Sequence, residues 1–488
     1  MSQHSHQLHI YFFPLMAPGH MIPLVDMARQ FARHDTTVKA TVVLPDLNAR
    51  QFHATIERDR RRGSDINIRQ VTFPASQVGL PDGCASLASL TSPQMYSQFN
   101  QAVQLLKSQA EQLLREDRPD CIASDYFISW TADLAAQFQI PRVIVHVSGF
   151  FPLCVHHAFR KHGPHLGPGP DSDTFVVPGL PDAVKMTRRQ LPQFLRDKLS
   201  DGIMEKASKA EEASYGTVFN TFKEMEPAYV EYYRNNISKK VWHVGPASLC
   251  NKDIVDKAQR GDDDKAMMVV KQQCLDWLST KGSNSVVYVC FGTMSLFSAA
   301  QMHEIAAGLE SCGQNFIWVV KSGEKNDEEW LPEGFEKRVR DKGLMIKSWA
   351  PQVLILEHES VGGFLTHCGW NSLMEGVSAG KPMITWPISS EQFENEKLVT
   401  EVLRVGVGVG SLEWSDRLDV ERGLIKRDNI AGAVNRVMVG EEGAEMRNRV
   451  KVLSEQARKA VDKGGSSYND LDLFLGEMRL TKNGKIVV

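Results

Sequence analysis

The chain has 488 residues, of which 42% are hydrophobic and 24% charged, with a formal net charge of -3. This length predicts two or three domains, with each half able to bury its own core. The near-neutral charge offers no electrostatic footprint for nucleic acid or an anionic membrane, so neither is expected as a partner.

No basic residue precedes Arg29, which argues against a signal peptide. The first predicted strand is "LHIYFFP" (8–14), followed by a helix in which Leu24, Met27, Ala28 and Phe31 recur at i, i+3, i+4 and i+7. Further strands are predicted at 36–45, 120–124, 141–147 and 214–220. All run apolar almost throughout, the pattern of a parallel sheet covered by helices on both faces. The charged, aperiodic stretch 251–268, which includes "GDDDKA", reads as a linker or exposed loop. Beyond it, strands are predicted at 285–291, 314–320, 343–348, 362–366 and 382–386. The uncharged run from Ser285 to Met302 carries Gly, Thr, Gln and Ser and reads as strand, turn and helix rather than an integral membrane segment. The eight cysteines form no CxxC pair, so most read as reduced, buried thiols of a cytoplasmic protein. The simplest account is two consecutive doubly wound α/β domains, 1–250 and 269–463, with chemistry outside the carboxyl ends of their strands.

At the first junction, "PLMAPGHMIPLVDMA", Gly19 permits a tight turn and Pro23 suits a first helical turn, which puts His20 at a helix N-terminus. The positive helix end is expected to keep His20 neutral and able to accept a proton; a turn histidine with a backbone hydrogen bond is the other reading. Asp125, at the end of the 120–124 strand, reads either as the carboxylate partner of His20 or as the cap of a helix beginning at Tyr126.

The stretch from Trp349 to Gln392 is dense in large and polar residues. Its "GGFLTHCGWNSLMEG" predicts a strand, a turn at His367–Gly369 and a helix from Trp370, whose free N–H groups suit a phosphate. His367, Asn371 and Ser372 add donors. Glu375 suits a ribose diol, Trp349 a base, and Glu391 with Gln392 sugar hydroxyls. Taken singly, each also reads as a core tryptophan, a helix cap or a surface acid; together these residue types match a nucleotide carrying a polar group.

The 44-residue stretch resembles the signature box of the plant family 1 UDP-sugar glycosyltransferases in length, at both ends and at nearly every polar position. "PLMAPGHMIPLVDMA" resembles that family's catalytic turn, and "VVYVCFGTMS" the strand and loop opening its second domain. "GGSSYNDLDLFL" is similar to the segment leading into a helix that returns to the first domain, which assigns 464–488 to that role. The resemblance implies a GT-B fold with UDP-glucose as co-substrate. Trp349 would stack on uracil, with Ala350 and Gln352 beside it and Glu375 on the ribose. His367, Asn371, Ser372 and Ser295 would hold the pyrophosphate, and Trp370, Glu391 and Gln392 the glucose. His20 would be the general base and Asp125 its partner, in a single inverting displacement without a metal ion. Glucose rather than galactose is implied by Gln392.

Met16, Met21, Phe127, Phe150, Phe151 and Phe194 are candidates for a lipophilic acceptor pocket, about half of them belonging to the core instead. The resembling subgroup acts on flavonoids and on triterpenoid or steroidal alcohols. A monomer is expected. Two rival classes fit less well. A nicotinamide oxidoreductase would need G-x-G-x-x-G before a helix, whereas "RVGVGVG" (404–410) sits in a strand-like run with no helix following. A non-catalytic nucleotide-sugar binder has no use for both His20 and Asp125.

Overall fold

The computed structural model describes residues 7–196, 202–258, 265–320, 330–347, 349–416, 419 and 422–484, apart from the side chains of 193, 194 and 265–268. The first half contributes β1 (Leu8–Phe13), β2 (Val38–Pro45), β3 (Asp65–Val71), β4 (Cys121–Asp125), β5 (Arg142–His146), the short strands β6 (Thr174–Val176) and β7 (Lys185–Thr187), then β8 (Gly216–Phe219) and β9 (Val241–His243). The second contributes β10 (Val286–Cys290), β11 (Asn315–Val319), β12 (Gly343–Ile346), β13 (Val361–Thr366), β14 (Met383–Thr385) and β15 (Gly406–Gly408).

Two parallel sheets result, in the orders β3-β2-β1-β4-β5-β8-β9 and β12-β11-β10-β13-β14-β15, while β6 and β7 form a separate hairpin. The central strands are buried on both faces, as their apolar runs require. Leu24, Met27, Ala28 and Phe31 all face this core. The sequence pattern missed the hairpin strands β6 and β7 and three strands of the parallel sheets, β3, β9 and β15, which are all sheet edges. In β3 exposed and buried residues mix, and β9 and β15 are three residues long. An edge strand covered on fewer sides needs no continuous apolar run.

The charged 251–268 stretch is not simply a solvated loop. Residues Ile254–Ala258 form a helical turn whose Asp256 is buried, accepting from the Arg29 guanidinium at 2.9 Å and from Arg58 at 2.8 Å. Arg29 also donates to Asp59 (2.7 Å) and Asp26 (3.2 Å), so one buried guanidinium ties helix Pro18–His34 to the segment leaving the first sheet. A helix follows over Lys265–Ser279, and residues 259–264 lie outside those described.

The final helix, Ser466–Lys482, lies against the first sheet. Phe474 packs on Phe31 and Trp242, Arg479 pairs with Asp35 at 2.6 Å, and Lys482 donates to the Gln7 carbonyl at 2.6 Å. All eight cysteines are free thiols. Among the described residues no helix is long and apolar enough to cross a membrane.

Breaking a buried ion cluster by removing its shared partner leaves uncompensated charge. Arg29→Met therefore should destabilise the protein by about 3–5 kcal/mol, read as a lowered urea midpoint. A midpoint equal to wild type would show that Asp26, Asp59 and Asp256 are satisfied without it.

Candidate active site

Both sheets change winding direction between neighbouring strands, β1 with β4 in the first and β10 with β13 in the second. Ligands of such sheets bind where loops diverge at this switch point. His20 follows β1, in the first turn of helix Pro18–His34, and Asp125 is the last residue of β4. Strand pairing thus delivers both side chains to one place, and the imidazole Nδ1 meets the Asp125 carboxylate at 2.7 Å. Because a carboxylate only accepts, Nδ1 carries the proton and Nε2 is left with a free lone pair. The other Asp125 oxygen accepts the Phe127 N–H at 3.0 Å. No helix begins at Tyr126; the next one starts at Thr131, and Asp125 shapes an open turn before it.

The expectation that a helix end keeps His20 neutral needs correcting. Burial and the helix end both disfavour the imidazolium. The buried Asp125 carboxylate outweighs them by charge and hydrogen bond, with Glu391 adding to it, so the His20 pKa lies above the ordinary histidine value.

In the second half, Ser295 lies on the loop after β10, half-buried. After β13 the chain turns through Cys368, held at φ 65, a left-handed conformation uncommon outside glycine. Gly369 then starts helix Trp370–Ser378 without a side-chain cap, which leaves its first N–H groups open to a ligand. His367 is enclosed by two glycines: a Cβ at Gly292 would lie 2.7 Å from the ring, and one at Gly369 2.5 Å from it. Burial pushes the His367 pKa down to about 4, and its Nδ1 is buried without a hydrogen-bond partner. A neutral imidazole can still donate one N–H.

Gln352 organises the next part of the wall. Its amide donates to Glu375 at 2.7 Å and approaches the Ser372 hydroxyl at 3.4 Å, while its oxygen accepts from the Tyr288 hydroxyl at 3.2 Å. Trp349 is half-buried before it and Ala350 is buried. A cavity of about 340 Å³ opens beside Glu375, between the 248–257 segment and the helices carrying Val353 and Ser378.

The two switch points face each other. Asn371, second in its helix, donates to the Gly19 carbonyl at 2.6 Å, one residue before His20. Trp370 donates its indole N–H to the Asn220 carbonyl at 2.8 Å, and its ring lies so close over Gly149 that a Cβ there would sit 2.1 Å away. That geometry corrects the expectation for Trp370. Its side chain is 2% exposed and fills the contact between halves, so only its backbone N–H is left for a sugar.

Two more expectations change. Gln392, expected on sugar hydroxyls, has its oxygen already accepting the N–H groups of Ile388 (2.9 Å) and Ser389 (3.0 Å), which leaves the NH₂ as a donor. Met16, Met21, Phe150 and Phe151 are core residues. Phe150 stacks on Phe219 at 3.9 Å, Phe151 meets Tyr229, and none of the four is more than 2% exposed. Phe127, half-buried with its ring 5.9 Å from that of His20, is the acceptor candidate that stays accessible. The side chain of Phe194 lies outside those described.

Comparison with known proteins shows the family. The model of the UDP-glucoronosyl and UDP-glucosyl transferase family matches residues 86–419. The chain belongs to that family. Scopoletin glucosyltransferase of Nicotiana tabacum is 49% identical over 475 residues, which cover 97% of this chain and 98% of that protein. UDP-glucose flavonoid 3-O-glucosyltransferase 7 of Fragaria ananassa is 48% identical, covering 99% of this chain and 98% of its own. The crystal structure of Glycyrrhiza uralensis UGT73P12 complexed with glycyrrhetinic acid 3-O-monoglucuronide superposes with a TM-score of 0.91 at 40% identity, over 98% of this chain and 97% of that one. The protein is therefore a UDP-sugar-dependent glycosyltransferase of GT-B fold.

Several residues of this glycosyltransferase's cleft went unread in the sequence. Asn220 directly follows β8 on the ligand side, and its position at a strand terminus was the available signal. Glu226, buried with its pKa pushed up to about 7, accepts the N–H groups of Phe150 (3.3 Å) and Phe151 (2.7 Å) and the Thr221 hydroxyl (2.8 Å). Asn395 donates to the Cys368 carbonyl at 2.9 Å. No local pattern marks either of these partners.

Asp125→Asn keeps the hydrogen bond but removes the charge that raises the His20 pKa. The His20 titration, followed by NMR, should therefore move to lower pH than in wild type. An unmoved titration would mean that the carboxylate does not set the basicity of His20.

Proposed function

We propose that this enzyme transfers glucose from UDP-glucose to a hydroxyl of a small lipophilic plant metabolite, with inversion at the anomeric carbon. The observation that carries the mechanism is the 2.7 Å contact between His20 and Asp125, with Asn371 bonded to the residue before His20. His20 Nε2 takes the acceptor's hydroxyl proton as the oxygen attacks the anomeric carbon. The bond to UDP breaks on the opposite face, and its electron pair leaves with the diphosphate. Asp125 stabilises the imidazolium that forms.

The second half holds the donor in this reading. Trp349 stacks on uracil, with Ala350 and Gln352 beside it and Glu375 on the ribose. Ser295, the neutral His367, Asn371, Ser372 and the open end of helix Trp370–Ser378 receive the diphosphate. Glu391 and the Gln392 NH₂ receive glucose hydroxyls. The division of labour follows 1–250 for acceptor and 269–463 for donor, with 464–488 belonging to the acceptor half. Phe127 forms part of the acceptor wall, together with Leu87, whose N–H donates to Met16 O at 2.8 Å beside the catalytic turn. The names of the relatives, a scopoletin and a flavonoid glucosyltransferase, support glucose as the sugar and planar or polycyclic alcohols as acceptors.

His20→Ala should lower kcat by about 10²–10⁴, the usual worth of a positioned base, with UDP affinity nearly unchanged. Near wild-type turnover of phenolic and terpenoid alcohols by this variant would refute the assignment. The wild-type kcat/KM should rise with pH through the raised His20 pKa, since the base must be unprotonated.

Helix and side-chain donors, rather than a cation, receive the departing charge in this mechanism. Turnover is accordingly expected to persist in EDTA. Loss on chelation with recovery on adding Mg²⁺ or Mn²⁺ would overturn it.

A further inference from the structure

We infer that Trp414 is a positioning residue for the donor sugar, through which the acceptor half helps to set sugar selectivity. The inference rests on the reading that Glu391 and Gln392 bind the sugar. The turn before them is unusual: Ser390 sits at φ 53, a left-handed conformation for a residue with a Cβ. Such a turn persists only where its surroundings hold it.

Trp414 does this from outside the turn. Its indole Nε1–H donates to the Ser390 carbonyl at 3.1 Å, and its backbone N–H donates to the Arg189 carbonyl of the first half at 2.7 Å. The neighbouring Ser415 N–H donates to the Ile388 carbonyl at 3.0 Å, two residues earlier in the same loop. One tryptophan therefore links the segment after β7 to the peptide immediately before Glu391. On the other side of the loop, His156 of helix Phe150–His162 meets the buried Glu394 at 3.1 Å, across the same boundary. The turn before Glu391 is thus tied to the acceptor half through Trp414 and Arg189, and the helix after it directly through His156.

A ring that only filled space would give the same result as phenylalanine. The indole N–H gives a different expectation. Without it the Ser390 carbonyl is released, the turn relaxes, and Glu391 and the Gln392 NH₂ move relative to the sugar hydroxyls. UDP itself is gripped elsewhere, by the β12, β13 and Trp370 elements, and should not register the change.

The test compares Trp414→Phe and Gln392→Ala with wild type, using UDP-glucose and UDP-galactose as donors and UDP as inhibitor. For Trp414→Phe the ratio of kcat/KM between the two donors should fall about threefold to tenfold, the range of one net hydrogen bond. The UDP inhibition constant and the Tm should stay at wild-type values. If Gln392→Ala loses discrimination while Trp414→Phe keeps it, the proposal fails and the sugar-site reading stands. If neither variant changes discrimination, the sugar-site reading fails as well. A lowered Tm with both donors slowed equally would make Trp414 a packing residue and overturn the proposal.

Discussion

The N-terminus of helix Trp370–Ser378 presses against the first half of the chain, and the cleft depends on that contact. Trp370 and Asn371 donate to the carbonyls of Asn220 and Gly19, at 2.8 and 2.6 Å, from two successive positions. A reaction that joins two substrates held on different sheets works only if those sheets keep their spacing. Misplacement of reacting groups by about 1 Å can cost about 10²-fold in rate. Packing supports the hydrogen bonds here, since the Trp370 ring lies over a glycine with no room for even a methyl group. A large side chain in a signature region can thus hold the two halves together.

Two histidines in this cleft show how environment alone sets proton affinity. Both are half-buried, and burial disfavours the charged form of each. His367 meets no opposing charge, so its pKa falls to about 4 and it stays neutral. His20 meets Asp125 and, more weakly, Glu391, and its pKa rises. A neutral donor beside a proposed diphosphate and a basic imidazole beside a proposed acceptor hydroxyl are what the two positions call for.

Buried charge also fastens the parts together. Arg29 ties the helix carrying His20 to Asp256 in the segment between the sheets. Glu226 ties the start of helix Phe150–His162 to the loop after β8, where the Trp370 indole docks. Each group is kept in place by several hydrogen bonds, so the orientation of the cleft walls is specified rather than merely compatible with packing.

The sequence by itself determined the two parallel sheets, because strands covered on both faces must be apolar throughout and that pattern is local. It also placed His20 just after a strand and the polar residues of the Trp349–Gln392 stretch around strand ends, since a strand, a turn and a helix start are encoded locally. The resemblance of the Trp349–Gln392 stretch supplied the donor class. Contacts between distant segments were decided only by the tertiary structure. The 2.7 Å pairing of His20 with Asp125 depends on β1 and β4 being neighbours, although 105 residues separate the pair. The inward turn of Trp370 depends on Gly149, the spent oxygen of Gln392 on the path of its own loop, and the burial of Phe150 and Phe151 on Phe219 and Tyr229. Residue type states what a side chain can do; which of its faces is already occupied is settled by neighbours that no local pattern reveals.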